Sequence, residues 1–204
     1  MKIYEYNAFP NPRRVRIFLA EKGIDGIEFE QVNVPEGEHR KAPFLAKNSF
    51  GTVPTLEMEN GTCISETVAI CRYFEERQPE PALMGESPEE KAEIEMWQRR
   101  VEQTMFNSIS TYFHHGTPGL GKLETYQNEE WGKKNKEMFL DAMERMDAHL
   151  SDKIFFVGEK PTIVDITALC AIDFGGFVEL SIPAELKNLT RWYEAMSIRP
   201  SASA

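Results

Sequence analysis

Few side chains in this sequence are equipped for covalent chemistry. The three cysteines, Cys63, Cys71 and Cys170, form no C-x-x-C and no metal-ligand spacing. Each sits in an apolar run and reads as a buried, reduced thiol, which suits a reducing compartment. His114 and His115 are adjacent before "GTPGLG", but no carboxylate or cysteine stands at ligand spacing, so no metal is expected. Two further stretches stand out. Glu66 and Thr67 open a helix, where an acidic residue is favoured by the dipole of the first turn. Pro54, in "GTVPTLE", stands where a strand begins although proline donates no backbone hydrogen bond.

These residues need elements to position them. Through about residue 77, short strands and helices alternate. "KIYEY" is a strand, and "NPRRVRIFLAEKG" is a helix with an Asn-Pro start and a Gly23 stop. "IEFEQVNV" alternates imperfectly through Ile27, Phe29, Val32 and Val34, and is expected to be a second strand. "HRKAPFLAKN" is a short helix. Val53, Thr55, Leu56 and Met58 then lead into an Asn60-Gly61 hairpin turn, with Thr62 to Ile64 pairing back. Ser65 is the expected cap of the helix over 66–77. The order is β-α-β-α-β-β-α.

"RQPEPALMGESPEE", with prolines at 79, 81 and 88, is expected to be a linker. Residues 1–78, 79–87 and 88–204 are thus expected to be an α+β domain, a linker and an all-helical domain. One long helix carries Ile94, Trp97, Val101, Met105 and Phe106 on one face. A second repeats the pattern through Met138, Phe139, Ala142, Met143, Met146 and Leu150. A third, "PTIVDITALCAIDFGGFV", is apolar all round and so central. Thr162 with Asp165 gives it a capping-box start. A last helix runs near "AELKNLTRWYEAMSIRP".

The formal net charge is −10, with 41% hydrophobic and 27% charged residues. That balance fits a soluble protein and argues against duplex nucleic acid or an anionic membrane as a broad-surface partner. Arg13, Arg14 and Arg16 make one small basic cluster. The N-terminal residues lack the apolar core of a secretory signal, and no stretch is long and apolar enough to span a bilayer, so cytoplasm is expected.

The α+β half with a proline opening its hairpin, followed by an all-helical half, resembles the cytosolic glutathione transferases. The likeness covers nearly the whole chain and rests on "GTVPTLE", "SETVAI" and "PTIVDITA" in order and spacing. "FPNPRRVRIFLAEKGI" and "GEHRKAPFLAKNSFGTVP" resemble most an atypical fungal and bacterial subgroup that lacks the usual Ser, Tyr or Cys. The resemblance implies a thioredoxin-like first domain and a cis bond before Pro54. That bond would turn the N–H and C=O of Val53 toward the cysteinyl backbone of glutathione, a strand-like pairing. It also implies that Thr67 and the helix amides meet the γ-glutamyl carboxylate and that Glu66 meets the ammonium. His39 is expected near the glycyl carboxylate, with Arg40 or Lys41 as other sources of charge, because Thr52 stands where many relatives carry a basic residue.

The sulfur is the exception. Where relatives place a Ser or Cys, this chain has Phe9 and Pro10. The expected substitutes are Asn11 with the amides opening the first helix, or, as in the atypical subgroup, a water held by Ser110 with His114 one turn further on as proton acceptor. Tyr6 is a weaker tyrosine-type candidate. Phe9, Phe106, Tyr112 and Phe113 are the expected apolar wall for a small hydrophobic electrophile in an interdomain cleft. The resemblance therefore implies a homodimeric glutathione transferase with glutathione as co-substrate and no metal. A non-catalytic ligand carrier or regulatory module, and a glutathione-dependent isomerase or dehalogenase, are the alternatives.

Overall fold

A computed structural model describes residues 1–204. The chain divides into two compact units, Met1–Pro81 (joined by the last two residues) and Ala82–Ala202. No helix is long and apolar enough to cross a membrane.

The first unit follows the β-α-β-α-β-β-α order. Its elements are β1 (Lys2–Glu5), α1 (Pro10–Lys22), β2 (Glu28–Gln31), α2 (Ala42–Leu45), β3 (Thr55–Glu57), β4 (Cys63–Ser65) and α3 (Thr67–Arg77). The sheet order is β2-β1-β3-β4. β1 runs parallel to β2, and β3 is antiparallel to both β1 and β4. The Asn60-Gly61 turn forms as expected: Met58 N–H donates to Thr62 O, and Gly61 takes a φ of 81° that a Cβ would resist.

The second strand differs from the alternating pattern. Only Glu28–Gln31 pair, all four exposed, because β2 is the sheet edge. Val32 and Val34 bury their side chains after the strand has ended. α1 and α3 pack together and are tied by a buried ion pair. Lys22 Nζ lies 2.6 Å from Glu75 Oε2, and it also donates to the carbonyls of Pro79 (3.3 Å) and Pro81 (2.6 Å). Three acceptors match the three donors of an ammonium, which offsets much of the cost of burying it. The proline-rich segment is thereby pinned where it leaves α3.

The second unit is helical: α4 (Pro88–Val101), α5 (Asn107–Gly116), α6 (Glu129–His149), α7 (Ile163–Phe177) and α8 (Lys187–Ser197). The expected single long helix is α4 and α5 joined by a π-helical turn over Glu102–Phe106. Thr104 Oγ1 donates to Arg100 O at 2.7 Å inside that turn, a local competitor for the helical carbonyl. Ser87 and Glu90 form a capping box that starts α4. Met138 was expected in the buried face of α6 but is exposed; Phe139, Ala142, Met143 and Met146 are buried. α5 and α6 approach closely, since a Cβ on Gly132 would lie 2.5 Å from Gly116 N. α7 is central: Ile163 through Ile172 are all buried, with α4, α5 and α8 packed on it.

Asp165 organises this unit. It is fully buried, and its two oxygens accept from Thr162 N, Thr162 Oγ1, Phe156 N and Trp192 Nε1 at 2.8–3.1 Å. Burial pushes its carboxyl above the usual value, against the downward pull of those donors. One side chain thus caps α7, fixes the preceding loop and anchors α8. Asp165→Ala leaves several buried donors unsatisfied and is expected to destabilise the protein by more than about 3 kcal/mol. A lowered urea midpoint by circular dichroism checks this; an unchanged midpoint would show that Asp165 does not hold the helices together.

Candidate functional site

Two helix starts converge in the first unit. α1 begins after Phe9, whose backbone is extended and whose side chain cannot cap. Pro10 and Pro12 carry no N–H, and Arg13 N–H already donates to Phe9 O at 3.3 Å. Of the two backbone donors among the first four positions of α1, only the Asn11 N–H is left. Where several open amides were expected at this helix start, one is unused. Asn11 Oδ1 accepts from Arg14 Nη1 at 3.1 Å, and Thr67 Oγ1 lies 3.5 Å from both Asn11 O and Oδ1. With Oδ1 so engaged, Asn11 Nδ2 is the side chain's remaining donor. Tyr6 packs edge-on to Phe9, with ring centroids 4.9 Å apart.

α3 starts without a side-chain cap. Ser65, the expected cap, stays in β4 opposite Thr55, and the chain turns at the next residue. That residue, exposed Glu66, has φ 71° and ψ 120°, a conformation that costs a non-glycine residue about 1–3 kcal/mol. The first helical bond runs from Ile70 N–H to Glu66 O. The N–H groups of Thr67, Val68 and Ala69 are therefore left for a ligand or water.

The hairpin leads to the same place. The Val53-Pro54 bond is cis, and Pro54 precedes the first paired residue of β3. Thr55 pairs with Ser65, so Val53 and Thr67 lie just beyond matching ends of one ladder. The Val53 side chain packs against Tyr4, Val32 and Phe44, while its N–H and C=O make no hydrogen bond within the fold. Buried Asn48 steadies the approach by donating to Thr52 O (2.8 Å) and Thr55 Oγ1 (3.2 Å).

His39 sits in a 3₁₀ turn over Glu38–Arg40 and is 6% exposed, with Nδ1 unpartnered. Burial, helped by the Arg40 charge, pushes its pKa down, so the imidazole is neutral near pH 7. Arg40 and Lys41 beside it are exposed.

In the helical unit, Ser110 and His114 lie one turn apart on α5, both half-buried. His114 Nδ1 lies 2.6 Å from Glu124 Oε1, and Leu120 N–H donates to the same oxygen at 2.8 Å. Against the upward push of partial burial, the Leu120 amide and His114 hold the Glu124 carboxyl below its usual value. In the tautomer that carries its proton on Nδ1, toward the carboxylate, Nε2 is the acceptor. Glu124 was missed in the sequence because a glycine-rich loop separates it from His114.

The three expected wall aromatics of the helical unit do not form one surface. Phe106 is 3% exposed and belongs to the core. Tyr112 turns toward α6, with Lys136 Nζ 5.8 Å from its ring. Phe113 instead joins Phe174 (5.3 Å) and Phe177 (6.2 Å) of α7 in an aromatic cluster, with Phe177 largely exposed. Their 174/177 spacing was legible, but the unbroken apolarity of α7 assigned both to the core. Cys63 is only half-buried, unlike Cys71 and Cys170, because it lies in the edge strand β4. No group of three or more His, Cys, Asp or Glu side chains is arranged to hold a metal ion.

Comparison with known proteins bears on both units. Residues 3–82 match the family model of the glutathione S-transferase N-terminal domain, and residues 101–200 match that of the C-terminal domain. Glutathione S-transferase 2 of Saccharomyces cerevisiae is 42% identical over 203 residues, covering 98% of this chain and 87% of that protein. The crystal structure of Gtt2 from Saccharomyces cerevisiae superposes with a TM-score of 0.96 at 41% identity, covering 100% of this chain and 99% of that one. A glutathione S-transferase domain-containing protein of Marinobacter aquaeolei VT8 gives a TM-score of 0.96 at 44% identity, covering 98% of this chain and 99% of that one.

The backbone at Glu66 yields a test. Glu66→Gly removes the steric penalty of the positive φ and is expected to raise the unfolding free energy by about 1 kcal/mol. A denaturant midpoint at or below that of the unsubstituted protein would mean that the conformation carries no strain.

Proposed function

Because the chain belongs to the glutathione S-transferase family, we propose that its glutathione lies along Val53 and over the uncapped start of α3. The protein is a glutathione transferase. The observation that carries the finer reading is the Glu66 backbone, which leaves three N–H groups of α3 open beside an unused Val53 main chain.

In this reading the Thr67 hydroxyl and the α3 amides bind the γ-glutamyl carboxylate, where an anion gains about 0.3–2 kcal/mol from the helix end. Exposed Glu66 meets the ammonium. Val53 pairs with the cysteinyl backbone, with Pro54 opening the strand behind it. Neutral His39 donates its ring N–H to the glycyl carboxylate, and Arg40 or Lys41 supplies the charge that the imidazole lacks.

The sulfur must ionise, because a thiol of pKa ~8.5 is only about 3% thiolate at pH 7. The Asn11 N–H and Nδ2 are read as the donors that stabilise it. Ser110 and His114 are read as holding the water through which the thiol proton leaves, with Glu124 fixing the imidazole so that Nε2 accepts. The thiolate then attacks an electrophilic carbon, forming the C–S bond as the leaving group departs or a conjugated double bond takes up the electron pair. Phe9 and Phe113, with Phe174 and Phe177 in place of Phe106 and Tyr112, are read as contacts for a small hydrophobic electrophile. A homodimer, a cytoplasmic location and a detoxifying role belong to the same reading.

A glutathione-binding carrier without turnover is the second reading. Phe9 and Pro10 favour it, since neither side chain can donate to sulfur. Retention on immobilised glutathione with turnover of an activated aryl halide supports the transferase; retention without turnover of several electrophiles supports the carrier. Glu66→Ala is expected to weaken glutathione binding at least tenfold, ~1.4 kcal/mol, by isothermal titration calorimetry. Unchanged affinity in the folded variant would remove Glu66 from the site.

A further inference from the structure

The connection between β1 and α1 is held by a closed ring of side chains. Glu5 Oε2 lies 2.5 Å from Arg16 Nη1, and Glu5 Oε1 accepts from Gln31 Nε2 at 2.9 Å. Arg16 Nη2 donates to Asn7 O at 2.8 Å, and Asn7 N–H donates to Gln31 Oε1 at 3.0 Å. Both backbone groups of one loop residue are thus gripped by two side chains that meet on one carboxylate. The ring spans three elements, since Glu5 ends β1, Gln31 ends β2 and Arg16 lies on α1.

Stability alone does not account for it. Asn7 and Ala8 are exposed, and water would serve the Asn7 backbone almost as well. Glu5, at 2% exposure, gives up its hydration to hold an exposed loop. The ring does fix position. From Asn7 the chain passes through the turn in which Phe9 N–H donates to Tyr6 O, and reaches Asn11 four residues on. Prolines on both sides leave α1 the single unused first-turn N–H of Asn11. A lone donor has no neighbour to share the contact, so its placement matters more than in a helix start with three.

We propose that Glu5, Arg16 and Gln31 are positioning residues for the reaction: together they aim the Asn11 N–H and Nδ2 at the sulfur of bound glutathione. The proposal rests on the reading of Asn11 given above. It places three side chains that touch neither the tripeptide nor the electrophile in control of how acidic the bound thiol is.

The test is the thiolate absorbance of glutathione bound to the full chain, titrated against pH in Glu5→Gln and Gln31→Leu. Gln31 is exposed on the edge strand, so its variant folds even where Glu5→Gln does not. The bound thiol is expected to titrate about one pH unit higher in each variant, with kcat/KM at pH 6.5 down about tenfold. Affinity for S-methylglutathione, which has no thiol to ionise, is expected to stay within about twofold. A purely structural role would move the melting temperature and leave the titration alone. If both folded variants keep the parental thiol titration, the positioning role is overturned. Asn11→Ala separates the two levels. If the parental bound thiol titrates like free glutathione, or Asn11→Ala does not shift it, the Asn11 reading falls and this inference with it. If Asn11→Ala raises the titration and the ring variants do not, only the ring's role falls.

Discussion

A helix start left open is the constraint on which the rest depends. Most helices satisfy their first N–H groups with a side-chain cap, as α4, α6 and α7 do here. α3 does not, because Ser65 remains in the sheet and Glu66 turns the chain through a conformation that favours glycine. The strain at one residue leaves three donors free at the positive end of a helix dipole, next to Val53, whose backbone groups just ahead of β3 are also unused. Unpaired donors in this number are completed by water or by a ligand, which is why the proposed function rests on this place.

The scaffold under that site is braced from several directions. Lys22 and Glu75 join α1 to α3 near their C-terminal ends. Asn48 fixes the loop before Pro54, and Thr67 reaches back to Asn11. α1 contributes less than its geometry promises, because two prolines remove donors from its first turn. They also fix φ there, which gives the one remaining donor a well-defined direction. Loss of donors and gain of rigidity come from the same substitution pattern.

The helical unit is ordered on different physics. A single fully buried carboxylate, Asp165, gathers donors from three segments, and an apolar helix runs through the centre. Away from that hub, α5 carries the groups with chemical capacity. His114 is oriented by Glu124, ten positions further along the chain, and Phe113 meets the far end of α7. The π turn before α5 resets the phase of the helix, so a face projected through it from α4 does not carry over.

Local patterns decided much of this. The strand and helix order, the Asn60-Gly61 hairpin, the Thr162–Asp165 cap, the central α7 and the family were legible in the sequence, because each rests on spacings of a few residues or on short motifs in order. Glu66 and Thr67 were legible as a helix start for the same reason. Tertiary structure alone decided what depends on distant partners or on backbone torsion. The open α3 amides required Ser65 to be claimed by Thr55, ten residues away. The loss of α1 donors was written in Pro10 and Pro12 but became visible only when Arg13 proved to be bonded to Phe9. Glu124, Phe174 and Phe177 joined the candidate residues through packing, and Phe106, Tyr112 and Met138 left their expected places for that reason too. A sequence records which side chains can bond; which of them remain unbonded is settled only when every competing partner has been placed in space.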